Sequence, residues 1–169
     1  MVTLPNRHPG LVYGHSRGMR PGSKHYYRPT LSGGKWDQFC ETRALGDVLQ
    51  ICCGGSMIGT VRVDSDPTVP GVTVVADMLA LPFRGSAFET VAADPMYNLD
   101  YPTRVFVQRE LGRVAARRVL FKGPWVPRMT GFTLIETLLV LSDTCANVAV
   151  MSVLDRAEEL QEALWSPTW

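Results

Sequence analysis

From Asp47 onward the chain falls into short apolar runs separated by turn residues: "DVLQICC", "TVRVD", "VTVVAD", "FETVAAD", "RVLFKG", "FTLIETLLVL" and "ANVAVMSVL". Their length and richness in Val, Ile, Leu and Thr predict seven β-strands. Between the fourth and fifth, "YPTRVFVQRELGRVAARR" (101–118) shifts to helical spacing, with Val105, Leu111, Val114 and Ala115 on one face. Ahead of the strands, "KWDQFCETRAL" predicts a short helix that stops before Gly46 and turns Trp36, Phe39 and Cys40 inward. The tail "DRAEELQEALW" predicts a last helix, apolar at Ala157, Leu160 and Leu164. Residues 1 to about 34 lack apolar periodicity and are dense in Gly, Pro, Arg, His and Tyr, which predicts an irregular arm.

Strands alternating with a helix give a largely parallel α/β sheet, whose ligands bind beyond the carboxyl ends of the strands. No helical stretch separates the last two runs, so they form an antiparallel pair at the sheet edge. The stretch "ICCGGSMIGTVRVDSDP" (51–67) is unusual because two parallel strands follow each other with no helix between them. A crossover normally takes a dozen or more residues, and Gly54 to Thr60 offers seven. Fully stretched, seven residues reach about 24 Å, against about 15 Å for a strand of four or five residues. An extended return fits and a helix does not. One face of the first strands then lacks its cover, leaving Val48, Leu49 and Ile51 in need of a lid. The arm, a second copy in a homo-oligomer or a partner subunit is expected to supply it.

Composition changes this picture little. With 169 residues, 46% hydrophobic and 20% charged, the chain fits one core preceded by an arm: residues 1–46 as a basic arm and short helix, 47–169 as the α/β domain. The apolar runs are too short to span a bilayer, and "MVTLPNRHPG" has no secretory pattern, so a cytoplasmic protein without membrane attachment is expected. Charge divides unevenly: residues 1–46 carry a net +5 and residues 47–169 a net −4. The four cysteines (Cys40, Cys52, Cys53, Cys145) and three histidines (His8, His15, His25) lack metal-ligand spacing. Reduced, buried thiols and no metal are expected.

Four strand ends carry side chains suited to a nucleoside-like ligand: "ICCGGS", "VDSD", "VAD" followed by Met78, and "AADPMY". Glycines at the first turn permit close backbone approach, and Asp64 is placed to accept hydrogen bonds from ribose hydroxyls. From Asp47 to about Arg156 this succession resembles the class I S-adenosylmethionine-dependent methyltransferases, most closely in "VTVVADMLALPFRGSAFETVAAD". The resemblance implies a Rossmann-like sheet, mostly parallel with an antiparallel terminal strand, here lacking the helix between strands one and two. It implies S-adenosylmethionine as cofactor. Cys53, Gly54, Gly55 and Ser56 would cradle its methionine part, Asp64 with Ser65 the ribose, and Asp77 with the backbone of Met78 the adenine amino group.

"DPMY" resembles the "DPPY" signature of methyltransferases that act on amino nitrogens of nucleobases, with Met96 replacing the second proline. Such an amine has its lone pair delocalised into the ring. By resemblance, the Asp94 side chain and the Pro95 carbonyl accept its hydrogens and orient the lone pair, and Tyr97 stacks on a base taken out of its helix. Two further departures stand in the first strand: Gln50 where the family commonly has an acid and Cys52 where it commonly has glycine.

The arm combines Arg17, Arg20, Lys24, Arg28 and Lys35 with Tyr13, Tyr26, Tyr27 and Trp36, a mixture suited to single-stranded or flipped-out nucleic acid. Tyr26, Tyr27 and Arg28, with Trp125 of "FKGPWVPRMTGF", are candidate substrate-binding residues. Arg109, Arg113 and Arg117, with Arg118 adjacent, recur along the predicted helix as a phosphate-binding or solvated face. The expected activity is methyl transfer to a nucleobase amine, most plausibly adenine in DNA or RNA. The alternatives are a small-molecule methyltransferase, which the pI near 7.7 allows, or an inactive methyltransferase-like scaffold.

Overall fold

The computed structural model describes residues 35–141 and 148–157. In chain order the elements are α1 (Lys35–Arg43), β1 (Val48–Ile51), β2 (Val61–Asp64), β3 (Val74–Val75), β4 (Phe88–Ala93), α2 (Tyr101–Val114), β5 (Ala115–Gly123), β6 (Phe132–Leu141) and β7 (Val148–Arg156). The seven strands form one sheet in the order β3-β2-β1-β4-β5-β7-β6. Neighbours from β3 to β5 run parallel, and β7 runs antiparallel to both β5 and β6. All seven expected strands are present, although β3 keeps only two residues. The tail beyond Ala157, the arm and Cys145 lie outside the described residues.

No helix joins β1 to β2, and the return is bare chain as the residue count requires. It runs tight against the start of β1. At Gly59 (φ +67°) an added Cβ would lie 2.4 Å from the carbonyl oxygen of Val48, so only glycine permits that approach. The connections β2–β3, β3–β4 and β5–β6 are also without helices; α2, between β4 and β5, is the single crossover helix among the described residues.

Because strand side chains alternate between faces, two apolar clusters flank the sheet. On one side α2 buries Val107, Leu111 and Val114 against Leu49, Ile51, Val91, Val119 and Phe121. On the other, Trp36, Phe39 and Cys40 of α1 pack with Ile58, Ala92, Leu120, Met151 and Val153. The expected need for cover over Val48, Leu49 and Ile51 is corrected here: Leu49 and Ile51 belong to the α2 side, and only Val48 faces α1. The lid on the α1 face is α1 itself, helped by Ile58 from the return. Trp36 is therefore a core residue, 6% exposed, and not part of an exposed stacking surface.

Helix α1 is fastened at both ends. Ser56 Oγ donates to Asp37 Oδ1 at 2.7 Å, and Arg43 forms a paired contact with Glu136 at 2.6 and 2.7 Å. Arg118 also donates to the carbonyl of Arg43 at 2.6 Å. Helix α2 starts at Asp100, whose carboxylate accepts the Thr103 amide at 2.8 Å. It stops at Val114, four residues short of the expected end, because from Ala115 the backbone pairs with β4. That pairing dissolves the expected arginine face: Arg117 and Arg118 stand on β5, and Arg118 is clamped to Asp155 at 2.6 Å. Arg113 is held by Glu110 and the carbonyls of Leu81 and Phe83. Val105 is only half-buried, and Thr103 and Val107 take the inner positions.

Candidate active site at the strand tips

The carboxyl ends of β1, β2 and β4 and the chain just after β3 meet along one edge of the sheet. After Ile51 the backbone turns through Cys52 (φ 53°) and Gly54 (φ 50°). The Cys53 amide donates to the Val63 carbonyl at 3.2 Å, and the Gly54 amide to Asp64 Oδ2 at 3.3 Å. Asp64 Oδ1 accepts the Asp66 amide at 3.2 Å. The next tip is tied in by the Ala76 amide, 3.1 Å from the Asp64 carbonyl, while Asp77 Oδ1 accepts the Leu79 amide at 2.8 Å. The Asp94 amide donates to the Ile51 carbonyl at 3.3 Å, which sets Asp94 beside the first turn.

Asp64, Asp77 and Asp94 thus stand at neighbouring strand tips, and the charge of all three is felt at Cys52. Burial pushes the Cys52 thiol up, and Asp64, Asp94, Cys53 and Asp77 add to that shift through their charge. Its Sγ lies 3.6 Å from Met78 Sδ. Cys53 is pushed up to about 11, first by burial and then by Asp64. The φ of Cys52 explains why a glycine suits its position: the left-handed region costs an L-residue roughly 1–2 kcal/mol.

The sequence-derived candidates separate into three groups. Gly54, Gly55, Asp64, Asp77, Met78 and Asp94 gather at the strand tips, with Ser65 exposed beside Asp64. Ser56 is engaged with Asp37 of α1. Pro95 is buried and Tyr97 half-buried against the α1-side cluster. Trp125 packs on Phe121, ring centroids 5.1 Å apart, under the Arg104 guanidinium at 4.4 Å. Tyr26, Tyr27 and Arg28 lie outside the described residues.

Lys122 escaped the sequence reading. It sits on β5 at 1% exposure and donates to Asp94 Oδ2. Its Nζ also lies 5.6 Å from the centre of the Trp36 ring. Burial raises the Asp94 carboxyl above its usual range, while the charge and hydrogen bond of Lys122 pull it back. The signal was a lone cation closing the apolar run "RVLF", one strand away from an acid at the same height. Gln50 is fully buried, and neither end of its amide is hydrogen-bonded among the described residues.

The donor set fits a nucleoside cofactor. Carboxylates stand on successive tips, and Asp64 keeps acceptor capacity beyond its two amide contacts. A Cβ built on Gly54 or Gly55 meets nothing within 4 Å among the described residues. Among the described residues no group of His, Cys, Asp and Glu could hold a metal ion, and no helix is long and apolar enough to cross a membrane.

No protein-family model and no curated protein sequence matches the chain. Solved structures do. The N-methyltransferase NodS of Bradyrhizobium japonicum superposes with a TM-score of 0.57 at 12% identity, covering 75% of this chain and 99% of that one. A SAM-dependent methyltransferase from Methanosarcina mazei gives 0.52 at 12% identity, covering 70% and 96%. TrmN from Thermus thermophilus gives 0.51 at 17% identity, covering 72% of this chain and 47% of that one. The chain has the fold of the class I methyltransferases: a mostly parallel seven-stranded sheet with β7 reversed, here without the helix between β1 and β2.

Proposed function

We propose that the chain is an S-adenosylmethionine-dependent methyltransferase acting on an amino nitrogen of a small molecule. The observation that supports this reading is the placement of Asp64, Asp77 and Asp94 at neighbouring strand tips, tied to the first turn by the Gly54 amide on Asp64 Oδ2 and the Asp94 amide on the Ile51 carbonyl. Gly54, Gly55, Asp64, Asp77 and Met78 would hold the cofactor, which supplies an electrophilic methyl group on a sulfonium. Asp94 accepts a hydrogen from the substrate amine, turns the nitrogen lone pair to one side and balances the positive charge that grows on nitrogen. Holding the two reactants in that geometry supplies much of the acceleration.

A small substrate is favoured over a nucleobase by the engagement, among the described residues, of the three rings that could have stacked beside Asp94. Trp36 is in the core, Trp125 is covered by Arg104 and Phe121, and Tyr97 leans into the α1-side cluster. A flipped base needs a ring face free to stack on. The succession Asp94, Pro95, Met96, Tyr97 favours the nucleobase as the second reading.

Calorimetric titration with S-adenosylmethionine tests the cofactor, and absence of heat at millimolar concentration defeats both enzyme readings in favour of a scaffold. Tritiated methyl transfer over pools of small amines, DNA and RNA then separates substrates. Label in the small amines, unchanged between roughly 50 and 200 mM salt, is the expected result; label in nucleic acid that falls steeply over that range supports the second reading.

A further inference from the structure

The ammonium of Lys122 is an expensive group to place where it is. A lysine 1% exposed in the middle of a sheet loses its hydration, and a buried ion pair seldom stabilises a fold more than apolar residues of the same volume. Leu or Met at position 122 would extend the apolar run Val119, Leu120, Phe121, all fully buried. What the lysine contributes is a fixed partner for Asp94, whose side chain remains 23% exposed at the strand tips.

We propose that Lys122 is a positioning residue of the active site: it holds Asp94 Oδ2 from the side of β5 and leaves Oδ1 as the acceptor for the substrate amine. This deepens the methyltransferase reading and rests on it. Lys122 is the donor recorded on the Asp94 carboxylate among the described residues. The Trp36 ring lies against the ammonium, so the lysine has little freedom to swing away. Cys40 of α1 and Cys52 at the end of β1 both feel the charge of Asp94, Cys40 alongside Asp37 and Glu41, and Cys52 alongside Asp64 and Asp77. Apart from Lys122 these are acids or neutral thiols, so within that set only Lys122 pulls the Asp94 carboxyl down against the effect of burial.

The test compares the full chain with Lys122→Met and Lys122→Arg. Carboxyl-labelled aspartate followed by NMR across pH reports Asp94 directly, its resonance identified by its loss in Asp94→Asn. Methyl transfer uses histamine, ethanolamine and adenosine as probe amines, and calorimetry reports cofactor affinity. Lys122→Met should raise the Asp94 midpoint and move the acid limb of the pH–rate profile to higher pH. It should also lower transfer at least tenfold with cofactor affinity unchanged, while Lys122→Arg restores the midpoint. An unmoved midpoint, or wild-type transfer despite a raised one, overturns the proposal. If Lys122→Met does not fold, Lys122→Gln carries the same expectations without the charge. A wild-type chain that binds no cofactor defeats the methyltransferase reading and this inference together; a wild type that binds and transfers, with variants that behave like it, defeats this inference alone.

Discussion

Cys52 Sγ lies 3.6 Å from Met78 Sδ, so a thiol and a thioether bridge the end of β1 and the chain following β3. The charge of Asp64, Asp77 and Asp94 is felt at the Cys52 end of this bridge, a residue held at φ 53°. Cys52→Gly removes the side chain from the proposed cofactor site and relieves the backbone. Relief of about 1 kcal/mol is offset by the greater freedom of glycine in the unfolded chain, so stability should change by less than about 1 kcal/mol. Calorimetry should show tighter S-adenosylmethionine binding in the variant. Equal or weaker binding would mean that the thiol stands clear of the cofactor.

Gln50 makes a prediction about stability. Its amide is fully buried and both ends lack partners among the described residues. A buried unsatisfied polar group costs about 1–3 kcal/mol. Gln50→Leu, of similar volume, should raise stability by about 1 kcal/mol or more, read as a higher urea midpoint at constant slope. A loss of stability would show that the amide is satisfied in solution, by bound water or by chain beyond the described residues.

Trp36 anchors α1 over the face that the missing crossover helix leaves open. It is 6% exposed and stacks on Phe39 with centroids 5.7 Å apart. Trp36→Ala should cost about 3–5 kcal/mol. The wild-type and variant chains compared by hydrogen exchange should differ most in α1, β4, β5 and β7, whose residues meet in that cluster.

The second fastening of α1 is sensitive to pH. The hydrogen bonds from Arg43 hold the Glu136 carboxyl below its ordinary range. A carboxyl depressed in the folded state contributes stability that is fully present above its unfolded value, about 4.3, and is lost as pH falls through the lower folded value. Glu136 is 36% exposed, so the contribution should stay below about 1 kcal/mol. Glu136→Gln should flatten the fall in stability between roughly pH 5 and pH 3 and leave neutral stability slightly lower. An identical acid limb in both proteins would show that the pair is absent in solution.

The hydrophobic pattern by itself determined the seven strands, the helix after "DPMY" and the bare return between β1 and β2. Period, turn residues and chain length are local quantities, and reach alone excludes a helix between Ile51 and Val61. The order of acids at the strand ends was equally legible, because strand ends can be read without knowing their neighbours. Three things were decided only in the folded sheet. Helix α2 yields to strand at Ala115 because pairing with β4 supplies hydrogen bonds that helical spacing does not reveal. Leu49 and Val48 go to opposite faces, so the cover each needs comes from a different helix. Lys122 meets Asp94 because β4 and β5 lie side by side in register, and 28 positions along the chain separate two groups that touch. Electrostatic partnership depends on distance in space and burial, and neither is written in sequence spacing.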